Sequence, residues 1–151
     1  MKYLSISTFL NLIICFNLFG QNNKLYEQQK KEIYTLIDQY SQARDSKDSI
    51  LLKKILTIEV DQLVSSGEWR NGVEEAIEGM MKSSAASPGD RHLIVDKIRV
   101  FNSKTGIVDC RYEIKNIDGS VRKMWSTFII SYSENRWKIA GIRNMLPASQ
   151  E

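Results

Sequence analysis

The sequence predicts an α+β fold in which three N-terminal helices pack on one face of a curved antiparallel sheet. Two observations support this prediction. Apolar residues recur at helical spacing before Pro88, whereas β-branched and aromatic residues dominate the chain after it. The densest stretch, residues 121–145, consists of two apolar runs separated by Ser133-Glu134-Asn135, which favours a long hairpin. Because this hairpin is too apolar to lie bare in water, we expect the helices to cover one of its faces.

Residues 1–20 have the pattern of a secretory signal peptide. Lys2 precedes an uncharged, largely apolar run over residues 4–19, and Gly20 precedes a polar stretch. The run is shorter than the roughly 20 apolar residues that a membrane-spanning helix needs. We therefore predict cleavage after Gly20, export to the periplasm or the medium, and no stable membrane association afterwards. The alternatives are a lipid anchor on Cys15, although Ile14 stands where a bacterial lipobox has a small residue, and an uncleaved helical anchor.

The mature chain, residues 21–151, contains no linker and is predicted to form a single domain. Apolar residues at helical spacing predict a long amphipathic helix over residues 24–44. A second, shorter helix follows over residues 50–56. Asp48 or Ser49 is expected to cap it, because a short polar side chain at this position accepts a hydrogen bond from a free backbone N–H group.

A small hairpin, a third helix and a meander of strands complete the predicted order. The hairpin turns at residues 65–67, and the helix begins after Gly72 and ends at residues 87–90. Strands over residues 91–101 and 107–116 then lead into the long hairpin, which makes four consecutive antiparallel strands.

Charge and cysteine content narrow the possible functions. The net charge is +3, and the Lys and Arg residues are scattered among acidic ones, so no nucleic-acid partner is predicted. Without the leader, Cys110 is the only cysteine and is expected to be a buried apolar residue. His92 is the only histidine, and no glycine-rich phosphate loop is present. We therefore predict no metal site and no cofactor.

Three segments resemble the nuclear-transport-factor-2-like (NTF2-like) superfamily. The first combines DQY at residues 38–40 with KD at residues 47–48. The second is GEWRNGVEEAI at residues 67–77, and the third is RWKIA at residues 136–140. The similarity extends over residues 34–147 and is greatest to the SnoaL-like branch, which includes many uncharacterised bacterial proteins. It implies a cystatin-like cone whose helices and curved sheet enclose a pocket. It also implies a homodimer whose subunits pair through their sheets.

Ketosteroid isomerases share this cone, and their chemistry uses one tyrosine and two aspartates. Alignment through residues 38–48 places Tyr40 on the tyrosine that donates a hydrogen bond to the oxyanion. It places Val64 on the proton-shuttling aspartate and Thr127 on the protonated aspartate. A valine accepts no proton, so the resemblance does not imply isomerase chemistry by this mechanism and assigns no catalytic residue.

The alignment also predicts which side chains face the pocket. Strand parity points Ala140 and Ile142 inward, together with the candidate ligand-binding residues, which combine phenol, indole, hydroxyl and amide groups: Tyr40, Tyr112, Trp125, Thr127 and Asn144. Such a wall suits a small apolar or aromatic ligand held by a few hydrogen bonds. The alternative for each aromatic residue is a packing role in the core.

These expectations lead to one functional hypothesis and one alternative. The hypothesis is an exported, small-molecule-binding protein of the SnoaL-like type, with a weak isomerase, cyclase or hydratase step as an open extension. The alternative is a noncatalytic dimeric NTF2-like scaffold or a partner-binding module of the immunity type. Fold similarity alone does not decide between them.

Overall fold

The computed structural model describes the backbone of residues 4–147 and the side chains of residues 25–147. The predicted signal peptide, its cleavage site and Cys15 lie outside the residues whose side chains are described. Within the described part of the chain, no helix combines the length and apolarity needed to cross a membrane. The chain divides into two compact units, Met1–Ile33 and Tyr34–Glu151.

The first unit contains most of helix α1 (Leu4–Asp45), which begins well before the predicted start at residue 24. Its described side chains include a small surface cluster. The Lys30 ammonium lies 4.5 Å from the centre of the Tyr26 ring and 3.4 Å from Glu27 Oε1. Surface pairs of this kind stabilise a helix by about 0.2–0.5 kcal/mol each, so they support the helix only weakly.

The second unit begins in the last turns of α1 and contains every other element. In chain order these are α2 (Ser49–Ile55), β1 (Leu56–Leu63), β2 (Trp69–Asn71), α3 (Gly72–Ala86), β3 (Gly89–Asn102), β4 (Thr105–Asn116), β5 (Val121–Ser133) and β6 (Arg136–Met145). The predicted order of helices, small hairpin, helix and strand meander is confirmed. Asp48 caps α2 as expected, since its carboxylate accepts a hydrogen bond from the Leu51 N–H group at 2.9 Å.

The six strands form one mixed sheet in the order β2-β1-β6-β5-β4-β3. Strands β3 to β6 make the predicted antiparallel meander. Strand β1, however, pairs in parallel with β6, which the sequence did not predict. The partners Leu56 and Ile139 are far apart in the chain, and local turn patterns carry no information about such a pairing. We call the sheet face turned toward the helices the inner face and the opposite one the outer face.

Irregular register in two strands, β6 and β3, bends this sheet. Between β5 and β6 the pairing shifts at Ala140, and between β3 and β4 it shifts at Asp96. An extra residue in one strand curves that strand and reverses its alternation beyond the bulge. Consequently Ile98 and Val100 face inward, whereas Ile94 lies on the outer face and is 39% exposed.

The core fills the space between the helices and the inner face. Its central contact joins Tyr40 on α1 and Phe128 on β5, whose rings meet edge to face with centroids 5.1 Å apart. Both side chains are buried. Leu52 on α2, Val60 on β1 and Met80 on α3 are buried as well. Burying an aliphatic or aromatic side chain stabilises a fold by about 1.5–3 kcal/mol, so this layer holds the helices on the sheet.

Candidate functional site

Strand β5 places two of the candidate residues on the outer face. Its inward side chains are Met124, Ser126, Phe128 and Ile130, which are buried. Trp125 is 45% exposed on the outer face, and Thr127 donates a hydrogen bond from Oγ1 to Asp109 Oδ1 at 2.9 Å. The predicted parity of β5 is therefore wrong. Both faces of this strand are apolar, so its alternation carries little information, and a shift of one residue reverses every side chain.

The parity of the neighbouring strands is largely correct. On β4 the inward residues include Cys110 and Tyr112, and on β6 they include Ile142 and Asn144. Ala140 is an exception, because it is the extra residue of the bulge and lies off the inner face. Of the five candidates, the structure thus brings Tyr40, Tyr112 and Asn144 to the inner side and leaves Trp125 and Thr127 outside.

A small cavity of about 50 Å³ opens on this inner side. The helices α1 and α3, the strands β1, β2, β4, β5 and β6, and the turn after β1 all contribute to its lining. Its polar side chains are three guanidinium groups, two amides and three hydroxyl groups: Arg44, Arg70, Arg122, Gln62, Asn144, Ser65, Ser83 and Tyr112. A cavity of this size has room for one or two water molecules or for one small polar group.

Two wider grooves lie on the surface, with volumes of about 420 and 640 Å³. The first runs beside Trp69 and α3, and the second runs beside Ile58 and the end of β5. Both contain acidic and basic side chains together, among them Glu78 with Lys82 in the first groove and Glu134 with Lys138 in the second. Of these three spaces in the described part of the chain, the small cavity combines burial with side chains from many elements, so we treat it as the candidate site.

Arg44 is the central charged group of this cavity. It lies one helical turn after Tyr40 on the buried side of α1 and is only 5% exposed. Its Nε donates to Ser84 Oγ at 3.2 Å, one terminal nitrogen donates to Tyr40 Oη at 3.1 Å, and the other donates to Ser83 Oγ at 3.5 Å. All three acceptors are neutral hydroxyl groups. Among the described side chains, no carboxylate forms an ion pair with Arg44.

This guanidinium remains charged in the folded protein. Burial by itself lowers the pKa of Arg44, but Tyr40, Tyr112 and the more distant Asp45 more than offset that effect, so its pKa is raised. A guanidinium is not deprotonated in proteins under physiological conditions. Burying a charge without a counter-ion costs several kcal/mol. The fold therefore holds a positive charge beside the cavity that is stabilised by neighbouring groups, but no described carboxylate forms an ion pair with it.

A second buried guanidinium, that of Arg91, has a structural role. Its terminal nitrogens donate to the carbonyl groups of Gly89 and Ser87 at 3.1 and 2.8 Å, and one of them lies 3.7 Å from Asp45 Oδ1. These contacts tie the start of β3 to the end of α1. Burial raises the pKa of Tyr112, and the positive charges of Arg44 and Arg91 offset only part of this shift. Tyr112 is therefore a neutral phenol at physiological pH.

Two further arginines stand around the opening of the cavity. Arg122 donates to Ser65 Oγ at 3.0 Å, and Arg70 donates to Gln62 Oε1 at 3.3 Å and to Glu68 Oε1 at 3.1 Å. The Arg70 guanidinium lies directly against α3, where a side chain at Gly79 would overlap it. Glycine at this position thus makes room for Arg70.

The amide of Asn144 presents donors to the cavity. Its Oδ1 accepts a hydrogen bond from Ser126 Oγ at 2.7 Å, and both residues are buried. The amide nitrogen has no partner among the described residues, and Asn144 borders the cavity. An asparagine whose oxygen already accepts one hydrogen bond still offers both of its N–H groups to a ligand.

Sequence reasoning missed Arg44, Gln62, Arg122 and Ser126. For Arg44 a signal was present, because a charged residue four positions after Tyr40 continues the apolar stripe of the first helix. Gln62 and Ser126 could be placed only once the pairing of β1 with β6 and the face of β5 were known. In the described part of the chain, no group of three or more His, Cys, Asp or Glu side chains is arranged to hold a metal ion.

Comparisons with known proteins agree with this architecture. A scan of protein-family models and a search of curated proteins give no match. Among solved structures, an NTF2-like protein of unknown function from Shewanella oneidensis is 18% identical, with a TM-score of 0.67 over 77% of this chain and 98% of that one. An NTF2-like protein with a cystatin-like fold from Novosphingobium aromaticivorans is 15% identical, with a TM-score of 0.70 over 89% and 91% of the two chains.

A third similar structure is a domain of unknown function with a cystatin-like fold from Nostoc punctiforme. It is 14% identical, with a TM-score of 0.72 over 81% of this chain and 79% of that one. At these identities the similarity shows the fold alone. The chain therefore has the NTF2-like, cystatin-like cone fold, and its function has to be argued from its own residues.

Proposed function

We propose that this protein binds a small polar molecule in the cavity beside Arg44, as a ligand-binding protein of the SnoaL-like type. The observation that carries the proposal is the buried guanidinium of Arg44, which donates hydrogen bonds to hydroxyl groups and forms no ion pair with a described carboxylate. Buried charged groups beside a cavity cluster at functional sites, and a guanidinium without an ion-pair partner is suited to binding an anion. The cavity also lies between helices and sheet, where the family resemblance implies a pocket.

The size and lining of the cavity favour a different ligand from the apolar or aromatic molecule that the sequence predicts. Drug-sized ligands occupy pockets of about 300–1,000 Å³, whereas this cavity measures about 50 Å³. Phe128 packs against the ring of Tyr40 and fills the space that an aromatic ligand would need. The cavity therefore suits one polar group of a ligand, with the rest of the ligand extending through the opening.

The lining favours binding over catalysis. No Asp, Glu or His is found among the described residues around the cavity. Isomerisation, cyclisation or hydration needs a group that accepts a proton within hydrogen-bonding reach of the substrate. Val64, at the position aligned with the proton-shuttling aspartate, borders the cavity and has no such group.

A pair of valine substitutions tests the binding proposal. Val64→Trp should close the cavity opening, whereas Val121→Trp makes the same chemical change at an exposed site on β5. A set of small polar compounds is screened by ligand-observed NMR against both variants and the unmodified protein. We expect compounds that bind the unmodified protein and Val121→Trp but not Val64→Trp. Binding that survives Val64→Trp, or no binding by any compound, would contradict the proposal.

The alternative function is a dimeric scaffold or a partner-binding module, and the outer face supports it. Ile94, Arg111, Trp125 and Met145 are cross-strand neighbours in one row. The three apolar members of this row are 39%, 45% and 50% exposed. We propose that two copies of the chain pair through this row, as the family resemblance implies. Dimerisation is compatible with binding in the cavity, because the two surfaces lie on opposite faces of the sheet.

We also propose export of the mature protein, on the basis of the charge and apolar pattern of residues 1–20. The mass of the protein recovered from the periplasm or the medium tests this proposal. A chain that begins at Gln21 is the expected result. A mass that includes the first 20 residues would favour the helical anchor, and a chain that begins with a lipid-modified Cys15 would favour the lipid anchor.

A further inference from the structure

We propose that the cavity is a receptor for a small carboxylate, whose oxygens bind the guanidinium of Arg44 and the amide N–H groups of Asn144. This proposal deepens the function proposed above and rests on it, because it names the chemical class of the ligand. It depends on two properties of the lining, its hydrogen-bonding capacity and its charge.

The hydrogen-bonding groups that remain free around the cavity are mainly donors. The oxygen atoms of both lining amides are already occupied, by Ser126 for Asn144 and by Arg70 for Gln62. The lining serine hydroxyls accept bonds from Arg44 and Arg122. The donors that remain include the amide nitrogens of Asn144 and Gln62 and part of the Arg44 guanidinium. A ligand that only accepts hydrogen bonds matches this set, and a carboxylate is such a group.

The remaining donors of Arg44 also match the geometry of a carboxylate. A guanidinium has five N–H groups in one plane. In Arg44, one bond from Nε and one from each terminal nitrogen go to hydroxyl groups. One N–H group is thus left on each terminal nitrogen, and these two groups correspond to the two oxygens of one carboxylate. The cavity volume of about 50 Å³ accommodates a planar group of this size more readily than a tetrahedral phosphate.

The charge around the cavity is positive. Arg70 is paired with Glu68, but within the described residues neither Arg44 nor Arg122 forms an ion pair. A carboxylate would supply the missing counter-charge for Arg44 in surroundings where water screens it little. Arg122, on the exposed start of β5, lies where it attracts an anion toward the opening.

The experiment compares carboxylates with their neutral isosteres. Acetate and acetamide, and propionate and propionamide, are titrated into the purified protein at constant ionic strength with amide NMR detection. Because hydrogen bonds to a charged group are about twice as strong as neutral ones, we expect each carboxylate to bind about tenfold or more tightly than its amide. Inorganic phosphate is titrated in parallel and should bind more weakly than acetate.

Two pairs of variants test whether acetate binds in the cavity. Each pair makes the same change once at the cavity and once at an exposed site. Asn144→Asp keeps the shape of the side chain but replaces its donors by a negative oxygen, so acetate binding should be lost. Asn102→Asp makes the same change on the exposed β3–β4 turn and should leave binding unchanged. Arg44→Met should reduce acetate affinity to that of acetamide, whereas Arg99→Met on the outer face should not. Should Arg44→Met fail to fold, the asparagine pair and an Arg122→Gln variant, expected to weaken acetate binding several-fold, decide the question.

The possible results separate this proposal from the one on which it rests. Equal affinities for acetate and acetamide, both abolished by Val64→Trp, would overturn the carboxylate assignment and leave the binding cavity intact. Tighter binding of phosphate than of acetate would overturn it as well. If no compound binds in a manner sensitive to Val64→Trp, both proposals fail together and the scaffold alternative stands.

Discussion

On the outer face of the sheet, three arginines each lie against a carboxylate, whereas Arg44, which faces the inner side from α1, forms no ion pair with a described carboxylate. The outer pairs are Arg111 with Asp96 at 3.0 Å, Arg99 with Asp109 at 2.9 Å, and Arg143 with Asp61 at 2.8 Å. Such exposed pairs are individually weak, because water screens them.

The difference between the ion-paired arginines and Arg44 indicates which charged group is suited to binding a ligand. A charged group that already forms an ion pair within the chain gains little from an oppositely charged ligand. A buried charge without an ion pair lowers the stability of the folded chain, and an anion that binds beside it restores that stability. By this criterion we propose a binding site on the inner face and a surface for packing against another protein on the outer face. The following predictions test the difference between the two faces, beginning with the largest expected effect.

Substituting an inner-face aromatic should cost far more stability than substituting an outer one. Phe128→Ala removes a fully buried ring and leaves a cavity beside Tyr40, so we expect a loss of about 3–5 kcal/mol in the free energy of unfolding. Phe101→Ala, at a position that is 58% exposed, should change it by less than about 0.5 kcal/mol. Urea unfolding measures both values. Similar losses for the two variants would contradict the assignment of faces.

The thiol on the inner face should be nearly inert. Burial raises the pKa of Cys110 to about 12, and the charges of Asp96 and Asp109 add to the shift. At pH 8, its thiolate fraction is therefore about a thousandfold lower than that of an exposed cysteine with a pKa of about 8.5. We expect iodoacetamide to label Cys110 slowly in the native protein and rapidly in denaturant. A Ser133→Cys variant in a Cys110→Ala background, with its thiol at an exposed position, should react rapidly under native conditions.

The same shift has a consequence for stability at high pH. The pKa of Cys110 is raised in the folded state, so its contribution to stability is present below the pKa of the unfolded thiol. It is lost as the pH rises from about 8.5 toward 12. Cys110→Ala should remove this part of the pH dependence. If the free energy of unfolding depended on pH in the same way in the unmodified protein and in Cys110→Ala, the thiol would be in contact with solvent in the folded state.

A charge in the apolar row of the outer face should weaken the proposed dimer. Trp125→Glu introduces a carboxylate at the centre of the row, and loss of a central aromatic anchor typically costs about 2 kcal/mol or more in association. Sedimentation measures the dimer dissociation constant, which we expect to rise at least about thirtyfold. Ile117→Glu, in an exposed turn away from the row, is the control. Dissociation by both variants, or by neither, would place the interface elsewhere.

The smallest effect should come from breaking an outer ion pair. Asp96→Asn removes the charge that faces Arg111, and both side chains are substantially exposed. Surface pairs contribute about 0–1 kcal/mol, and salt reduces that contribution further. We expect a loss within this range at low salt and a smaller one at high salt. A larger loss that persists at high salt would show that the outer pairs are more than solvated surface contacts.

Much of the architecture can be predicted because its signals are local. The caps, turns and hydrophobic periods of the chain determine three helices followed by a strand meander, the Asp48 cap of α2 and the inward parity of β4. Two of the five candidate site residues, Tyr112 and Asn144, line the cavity. A third, Tyr40, contacts it through Arg44. Each of these lies on an element whose polar and apolar sides are clearly different.

The tertiary structure alone decides the features that depend on distant partners. The parallel pairing of β1 with β6 joins segments separated by most of the domain, and the bulge at Ala140 was not predicted, although the glycine that follows it is a weak signal for one. The face of β5 is ambiguous in the sequence because Trp125 and Phe128 are both large and aromatic. Packing of Phe128 against Tyr40 selects the inward row.

By itself, then, the sequence determined the order of the elements and the class of the fold, because short-range hydrogen bonds and hydrophobic periods specify them. Only the three-dimensional arrangement decided that Arg44 would lie in a narrow polar cavity without a carboxylate partner. The physical reason is that charge compensation depends on which side chains from separate elements come within a few ångströms of each other. No spacing along one chain records that distance.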